Sequence, residues 1–305
     1  MARRRVQRGK VIDGILLLDK PVGITSNGAL QQAKRLFNAR KAGHTGSLDP
    51  IATGLLPLCF GEATKLSQFL IDSDKRYVTS LRLGQRTNTG DSEGHVISQR
   101  PVTFSKGELE QALTKFRGDF EQVPPMFSAL KHQGTPLYKL AREGIEIERK
   151  PRPVTVSELE VLRMEADTLE LIVHCSRGFY VRTLADELGE ILGCGAHIEQ
   201  LRRTAVGDLH VDESVSLTTL AECPDGAARL QYLLPLEAGA RVYPAVQLTT
   251  NAAFYLCRGQ AVRAGGLPQS GYVRLYGGHA GFLGLGEVTD DGLVAPKRLF
   301  ATAGH

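Results

Sequence analysis

Lys41-Ala-Gly-His-Thr-Gly-Ser-Leu-Asp-Pro-Ile-Ala-Thr-Gly54 is the stretch on which the reading of this chain turns. Its three glycines, two threonines and a serine make it a loop, not a helix or strand. The one carboxylate, Asp49, stands directly before Pro50. A proline disfavours helical geometry at the preceding residue, so Asp49 is held in extended chain. Leu55-Leu-Pro-Leu-Cys-Phe60 follows and reads as a short buried strand. A lone acid on a stiff loop rooted in a buried strand is well placed to present a nucleophile. Asp-Pro is also a common turn opener, and residue chemistry alone leaves both readings open. The Gly-x-x-x-x-Gly-Lys-Ser/Thr spacing is absent, so the loop is not read as a phosphate cradle.

Positive charge gathers around this loop. The chain of 305 residues has a net charge of +4, but residues 1–50 hold ten Lys/Arg against Asp13, Asp19 and Asp49, a local +7. A polyanion such as RNA would be drawn to that end. Taken alone, residues 1–10 also fit a flexible, solvated basic tail. A hydrophobic content of 42% and a charged content of 23% are ordinary for a soluble globular protein. The length allows one large core with a small appendage. No apolar run reaches membrane-spanning length, and the basic N-terminus lacks the apolar stretch of a signal peptide. Five scattered cysteines form no Cys-x-x-Cys or Cys/His cluster. The expectation is a cytoplasmic protein with reduced thiols, no metal and no cofactor.

Before the loop, Gly14–Lys20 reads as a buried strand ended by Pro21 and Gly23, and Thr25 or Ser26 caps a helix burying Ala29, Leu30, Ala33 and Phe37. Beyond it, Glu62–Leu70 reads as a helix and Tyr77–Leu83 as a strand beginning at Tyr77. Gly84–Gly94 is a polar loop, and Ser105 with Glu108 forms a capping box for a helix through Phe116. Val123–Gly144 is a polar, basic excursion carrying Lys131, His132, Lys139 and Arg142, expected as a flap that orders on RNA. Val154–Met164 and Leu169–Cys175 alternate as an antiparallel pair. Tyr180 and Arg182 sit two apart, on one side of an extended chain, and Thr183 with Asp186 reads as the start of the next helix. Arg202 and Arg203 could meet phosphates. Helix Thr250–Cys257 and short strands Tyr272–Tyr276 and Phe282–Val288, with glycines between, suggest a small barrel.

Gly43-His-Thr-Gly-Ser-Leu-Asp-Pro50 resembles the catalytic motif of the TruB family of tRNA pseudouridine synthases. Leu18-Asp-Lys-Pro-x-Gly-x-Thr-Ser26, Val123–Gly144, Arg177-Gly-x-Tyr-x-Arg182 and His197–Gly207 resemble further family segments in the same order, and the likeness runs from about Gly14 to about Phe300. The resemblance implies roles for single residues. Asp49 would be the nucleophile and Arg182 its partner in a bidentate pair. Tyr77 would stack on the target base and be a candidate base for its C5 proton. His44 would fill the space the base leaves, Tyr180 would lie against Asp49, Leu201 would line the uracil pocket, and Lys20 would support the loop.

The expected fold is α+β: a pseudouridine synthase catalytic domain over residues 11–240, with a mixed, largely antiparallel sheet, flanking helices and an RNA-binding insertion at about 124–152. A PUA-like RNA-binding β-barrel over residues 246–301 completes it. The expected partner is the T-arm stem-loop of tRNA, with no membrane and no obligate protein partner. The expected activity is isomerisation of uridine 55 to pseudouridine. The alternatives are a tRNA-binding chaperone without catalysis, or a nucleoside or glycoside hydrolase; the latter usually needs a second carboxylate, and no acid stands in a comparable motif.

Overall fold

In a computed structural model, residues 9–278 and 281–300 are described. The basic stretch of residues 1–8 lies outside them. Strand β1 (Gly14–Lys20) leads to helix α1 (Ser26–Leu36), then to β2 (Ala42–His44), the Asp49 loop and β3 (Thr53–Phe60). Helix α2 (Ser67–Asp72) precedes β4 (Lys75–Leu83), and a hairpin of β5 (Gln85–Thr87) and β6 (Val96–Gln99) precedes α3 (Lys106–Thr114). Strand β7 (Gly118–Gln122) runs into an excursion holding β8 (Lys131–His132), β9 (Thr135–Pro136) and α4 (Leu137–Arg142). The chain returns as β10 (Arg152–Glu165), β11 (Thr168–Cys175), α5 (Val181–Ile191) and β12 (Ala196–Val206). Short strands β13 (Leu209–His210), β14 (Val215–Ser216) and β15 (Leu233–Leu234) lie around α6 (Leu217–Glu222) and α7 (Gly226–Leu230).

These strands form an eleven-stranded mixed sheet with the path β14-β1-β3-β12-β4-β11-β10-β7. Most of its pairings are antiparallel, whereas β12 runs parallel to β3, and β14 parallel to β1. The parallel pair places Gly54 opposite Arg203. At Gly54 φ is +97°, and a Cβ would stand 2.3 Å from the Arg203 carbonyl oxygen, so only glycine allows this approach at the mouth of the Asp49 loop. The core lies between the sheet and helices α1, α3 and α5, with Leu16, Leu18, Leu56, Leu58, Leu81 and Leu184 all fully buried.

The C-terminal strands β16 (Ala245–Leu248), β17 (Gly271–Gly277), β18 (Gly281–Val288) and β19 (Val294–Leu299) form a second sheet in that order, covered by α8 (Thr250–Leu256). It is consistent with a PUA-like domain. A two-bond bridge between Val262 and Val294 brings the chain after α8 to the far edge, but no closed barrel forms among the described residues. Its apolar side is buried with α8 in a cluster of its own that includes Val246, Leu256, Val273 and Leu275, while Leu285 and Phe300 join Ile15, Leu55 and Leu66 in another.

Several expected elements differ in detail. Glu62–Leu70 is a 3-10 segment, Gly61–Leu66, followed by α2. The Thr64 hydroxyl takes the Gly61 carbonyl three residues back, which suits the tighter repeat. Tyr77 is the third residue of β4, not its first. Helix α5 starts at Val181, ahead of the expected Thr183 cap, because the Tyr180 carbonyl already accepts the Leu184 N–H. Tyr180 is thus the N-cap and Arg182 lies in the first helical turn, so the two do not share an extended segment. The capping box of Ser105 and Glu108 is present in full.

Candidate active site

The Asp49 loop is clamped from three sides. Thr25 caps α1 by accepting the Gly28 N–H, which frees the neighbouring Ser26 hydroxyl for another task. That hydroxyl accepts the Leu48 N–H at 2.7 Å and donates to the Leu48 carbonyl at 3.0 Å. Lys20, at the end of β1, is fully buried, and its Nζ donates to the carbonyls of Pro21 and Ile24 at 2.8 Å and of Pro50 at 3.4 Å. Burial, only partly offset by Asp49 and Glu93, brings the Lys20 ammonium down to about 8. From below, Arg203 is 1% exposed and donates to the Leu55 carbonyl at 2.8 Å and the Gly46 carbonyl at 3.2 Å. Both groups are buried cationic side chains whose N–H donors are met by backbone carbonyls, an arrangement that fixes a loop at the cost of desolvation.

On this platform Asp49 meets Arg182: Nε stands 2.9 Å from the Asp49 Oδ2. The expected bidentate pair is not formed. The other guanidinium nitrogens are committed to backbone, Nη1 to the Thr89 carbonyl at 3.2 Å and Nη2 to the Phe127 carbonyl at 2.6 Å. Arg182 is therefore held by three surrounding segments and meets Asp49 in a close ion pair through Nε. The guanidinium is 6% exposed, whereas the Asp49 side chain keeps 39% exposure, so the carboxylate is open to solvent while its cation is buried. Burial raises the Asp49 carboxyl above its ordinary value; Arg182 and Lys20 pull it back and Asp91 pushes it further up.

Asp91 is the residue that sequence reasoning missed. It lies in the polar loop after β5 with Oδ2 3.9 Å from Arg182 Nε, so Arg182 sits between two carboxylates. Its Oδ1 accepts from Thr89 Oγ1 at 2.6 Å and from the Glu93 N–H at 3.2 Å. Buried and so engaged, it steadies Arg182 and is not offered to the cleft as a second acid would be. Nothing local marks it in the sequence, because an Asp between Gly90 and Ser92 reads as turn chemistry.

Of the other expected residues, Tyr77 and Tyr180 feel the Asp49 charge, Leu201 shares a sheet face with Tyr77, and His44 lies near Arg203. Tyr77 and Arg203 are directly opposed on β4 and β12, and Leu201 opposes Thr79, so all four side chains share one face of the sheet. Burial pushes the Tyr77 phenol up to about 12, with Asp49 also raising it and Arg203 opposing. The ring is thus neutral at physiological pH. Burial also raises the Tyr180 phenol, beside Ser128 and within reach of the Asp49 charge. Leu201 is buried. His44 ends β2, and its Nδ1 is buried without a hydrogen-bond partner. Burial and Arg203 lower its pKa, so the ring is neutral. Of the two arginines read as able to meet phosphates, Arg203 is buried and so is not available, whereas Arg202 stays partly exposed and pairs with Asp19 at 2.8 and 3.0 Å. Among the described residues, no group of three or more His, Cys, Asp or Glu comes together as a metal cage, and no helix is long and apolar enough to cross a membrane.

Comparison with known families gives three consecutive matches. Residues 34–181 match the TruB family pseudouridylate synthase N-terminal domain, residues 182–240 the tRNA pseudouridylate synthase B C-terminal domain, and residues 244–300 the C-terminal domain of pseudouridine synthase II TruB. A protein named tRNA pseudouridine synthase B from Tolumonas auensis is 55% identical, covering 100% of this chain and 97% of that protein. One of the same name from Escherichia coli is 52% identical over 98% of each. Among solved structures, the fold is similar to a Cbf5-Nop10-Gar1 complex, with a TM-score of 0.72 at 24% identity, covering 94% of this chain and 84% of that one. It is also similar to an H/ACA RNP bound to a substrate RNA, with a TM-score of 0.72 at 21% identity, covering 98% of this chain and 92% of that one.

Proposed function

The chain belongs to the TruB family of pseudouridylate synthases, and from that premise we propose that it isomerises uridine 55 in the T-arm loop of tRNA to pseudouridine, with Asp49 as the nucleophile. The observation that carries this reading is the half-open Asp49 carboxylate held at 2.9 Å by a buried Arg182. The reaction breaks the bond from uracil N1 to the ribose, turns the base and joins C5 to the ribose. C5 loses a proton and N1 gains one, so composition is unchanged.

A base inside a folded loop must first leave its stack, at a cost of a few kcal/mol. The neutral His44 ring is suited to take the vacated space. Tyr77, a neutral phenol on the wall of the cleft, covers the base by stacking, an interaction of about 1–3 kcal/mol. Its raised pKa makes phenolate scarce, so stacking is the better supported of its two expected roles. Ionised Asp49, aimed by Arg182, then attacks the nucleotide. Leu201 and Tyr180 keep water from the detached uracil, which would otherwise be lost to hydrolysis. The basic excursion with Lys131, His132, Lys139 and Arg142, and the sheet domain from residue 246, serve as RNA-binding parts, and the enzyme works in the cytoplasm, where it meets tRNA.

The test is to incubate unmodified tRNA with the protein and map pseudouridine along it. Pseudouridine at position 55 is expected. Unmodified tRNA overturns the reading in favour of a binding chaperone, and a free ribose end at that position favours a hydrolase.

A further inference from the structure

Gln122 ends β7, where the chain leaves the sheet for the excursion, and it is 2% exposed. Its amide clasps the Tyr180 backbone at both ends. The Tyr180 N–H donates to Oε1 at 2.8 Å, and Nε2 donates to the Tyr180 carbonyl at 3.2 Å. One amide bonded to both polar groups of a residue fixes its peptide direction as a neighbouring strand would. Tyr180 is the N-cap of α5 and makes no capping bond with its own side chain, and Arg182 stands two residues further on. The same root of the excursion supplies the Phe127 carbonyl that accepts Arg182 Nη2, and Ser128, which faces the Tyr180 phenol.

We propose that Gln122 is a positioning residue for the reaction: it ties the root of the excursion to the start of α5, so that Arg182 meets Asp49 in register. The inference rests on reading Asp49 and Arg182 as the working pair. A side-chain amide serves both Tyr180 groups at every pH. An ionised Glu of the same shape accepts the N–H but has no donor for the carbonyl, whereas a protonated Glu has one. A shift near 1 Å at a reacting pair costs on the order of 100-fold in rate.

The experiment compares wild type, Gln122→Glu and Gln122→Leu by single-turnover tritium release from 5-tritiated uridine in saturating tRNA, between pH 6 and 9. Binding of tRNA and thermal unfolding are measured alongside. Gln122→Glu should fall roughly 10- to 100-fold below wild type at pH 9, with tRNA affinity within about threefold, and recover toward wild type as pH falls and the carboxyl regains its proton. Gln122→Leu should be slow at every pH. Should the glutamate variant not fold, Gln122→Asn, which draws the same amide back by one methylene, gives the rate-against-affinity split. A folded variant with the wild-type rate throughout, a loss of affinity alone, or a deficit of Gln122→Glu independent of pH overturns the proposal. Asp49→Asn run in parallel separates the two ideas: a wild-type Gln122→Glu beside a dead Asp49→Asn removes Gln122 only, whereas an active Asp49→Asn removes the function itself.

Discussion

Replacing Arg182 with lysine separates charge from geometry. Lysine keeps the positive charge beside Asp49 and Asp91 but offers one nitrogen where arginine places three. The guanidinium makes three directed contacts, to Asp49 at 2.9 Å, Thr89 at 3.2 Å and Phe127 at 2.6 Å. A single ammonium reaches at most one or two of these at good geometry. Each charge-assisted hydrogen bond contributes about 1.5–3 kcal/mol, so losing two removes roughly 3–6 kcal/mol of restraint on the pair. A misplaced donor beside a reacting carboxylate costs on the order of 10²–10³ in rate, about 3–4 kcal/mol of barrier. Arg182→Lys should therefore slow single-turnover tritium release by that factor while tRNA affinity changes less than about threefold. A folded Arg182→Lys within threefold of wild type would refute the reasoning, since charge alone would then suffice.

Asp91→Asn removes the like charge that raises the Asp49 carboxyl, so the acid limb of the pH–rate profile should move to lower pH, while the plateau falls about tenfold as Arg182 loosens. An unmoved limb would show that Asp91 is electrostatically silent. Lys20 sheds its proton near pH 8, and with it the full grip on the Pro21, Ile24 and Pro50 carbonyls; the rate should decline through that region, and Lys20→Met should be slow across the range with no such alkaline limb. Ser26→Ala leaves the Leu48 N–H without its partner and should cost roughly 1–3 kcal/mol of stability by urea unfolding, with a lower turnover rate from the loosened Asp49 loop.

The strands were legible where burial and alternation left one choice. Gly14–Lys20 and Leu55–Phe60 carry continuous apolar runs and Leu169–Cys175 largely alternates, and all three lie in the main sheet. Residues 196–206, with charges at Arg202, Arg203 and Glu199, have no such pattern, yet they form the strand that carries Leu201 and the buried Arg203. Arginine there is paid for by carbonyls of β3 and the loop, which only tertiary structure supplies. The site followed the same division. Pro50 and the glycines left Asp49 open between turn opener and nucleophile, and the family motif singled out both Asp49 and Arg182. That Arg182 spends two nitrogens on backbone, and that Asp91 flanks it, depends on loops meeting across 55 to 93 residues of chain, which no local spacing encodes. The start of α5 was misplaced for a related reason: Thr183 and Asp186 imitate a cap, while the true N-cap is held by Gln122 from another strand.

The measurement closest to the central claim is tritium release by Asp49→Asn, a change of one oxygen to an amide nitrogen in the cleft, made beside direct titration with tRNA. If Asp49 bonds to the nucleotide, the variant binds tRNA within about threefold of wild type and releases no tritium above background in a single turnover. Release at a substantial fraction of the wild-type rate, by a variant shown to contain no residual aspartate, would mean that another group does the chemistry.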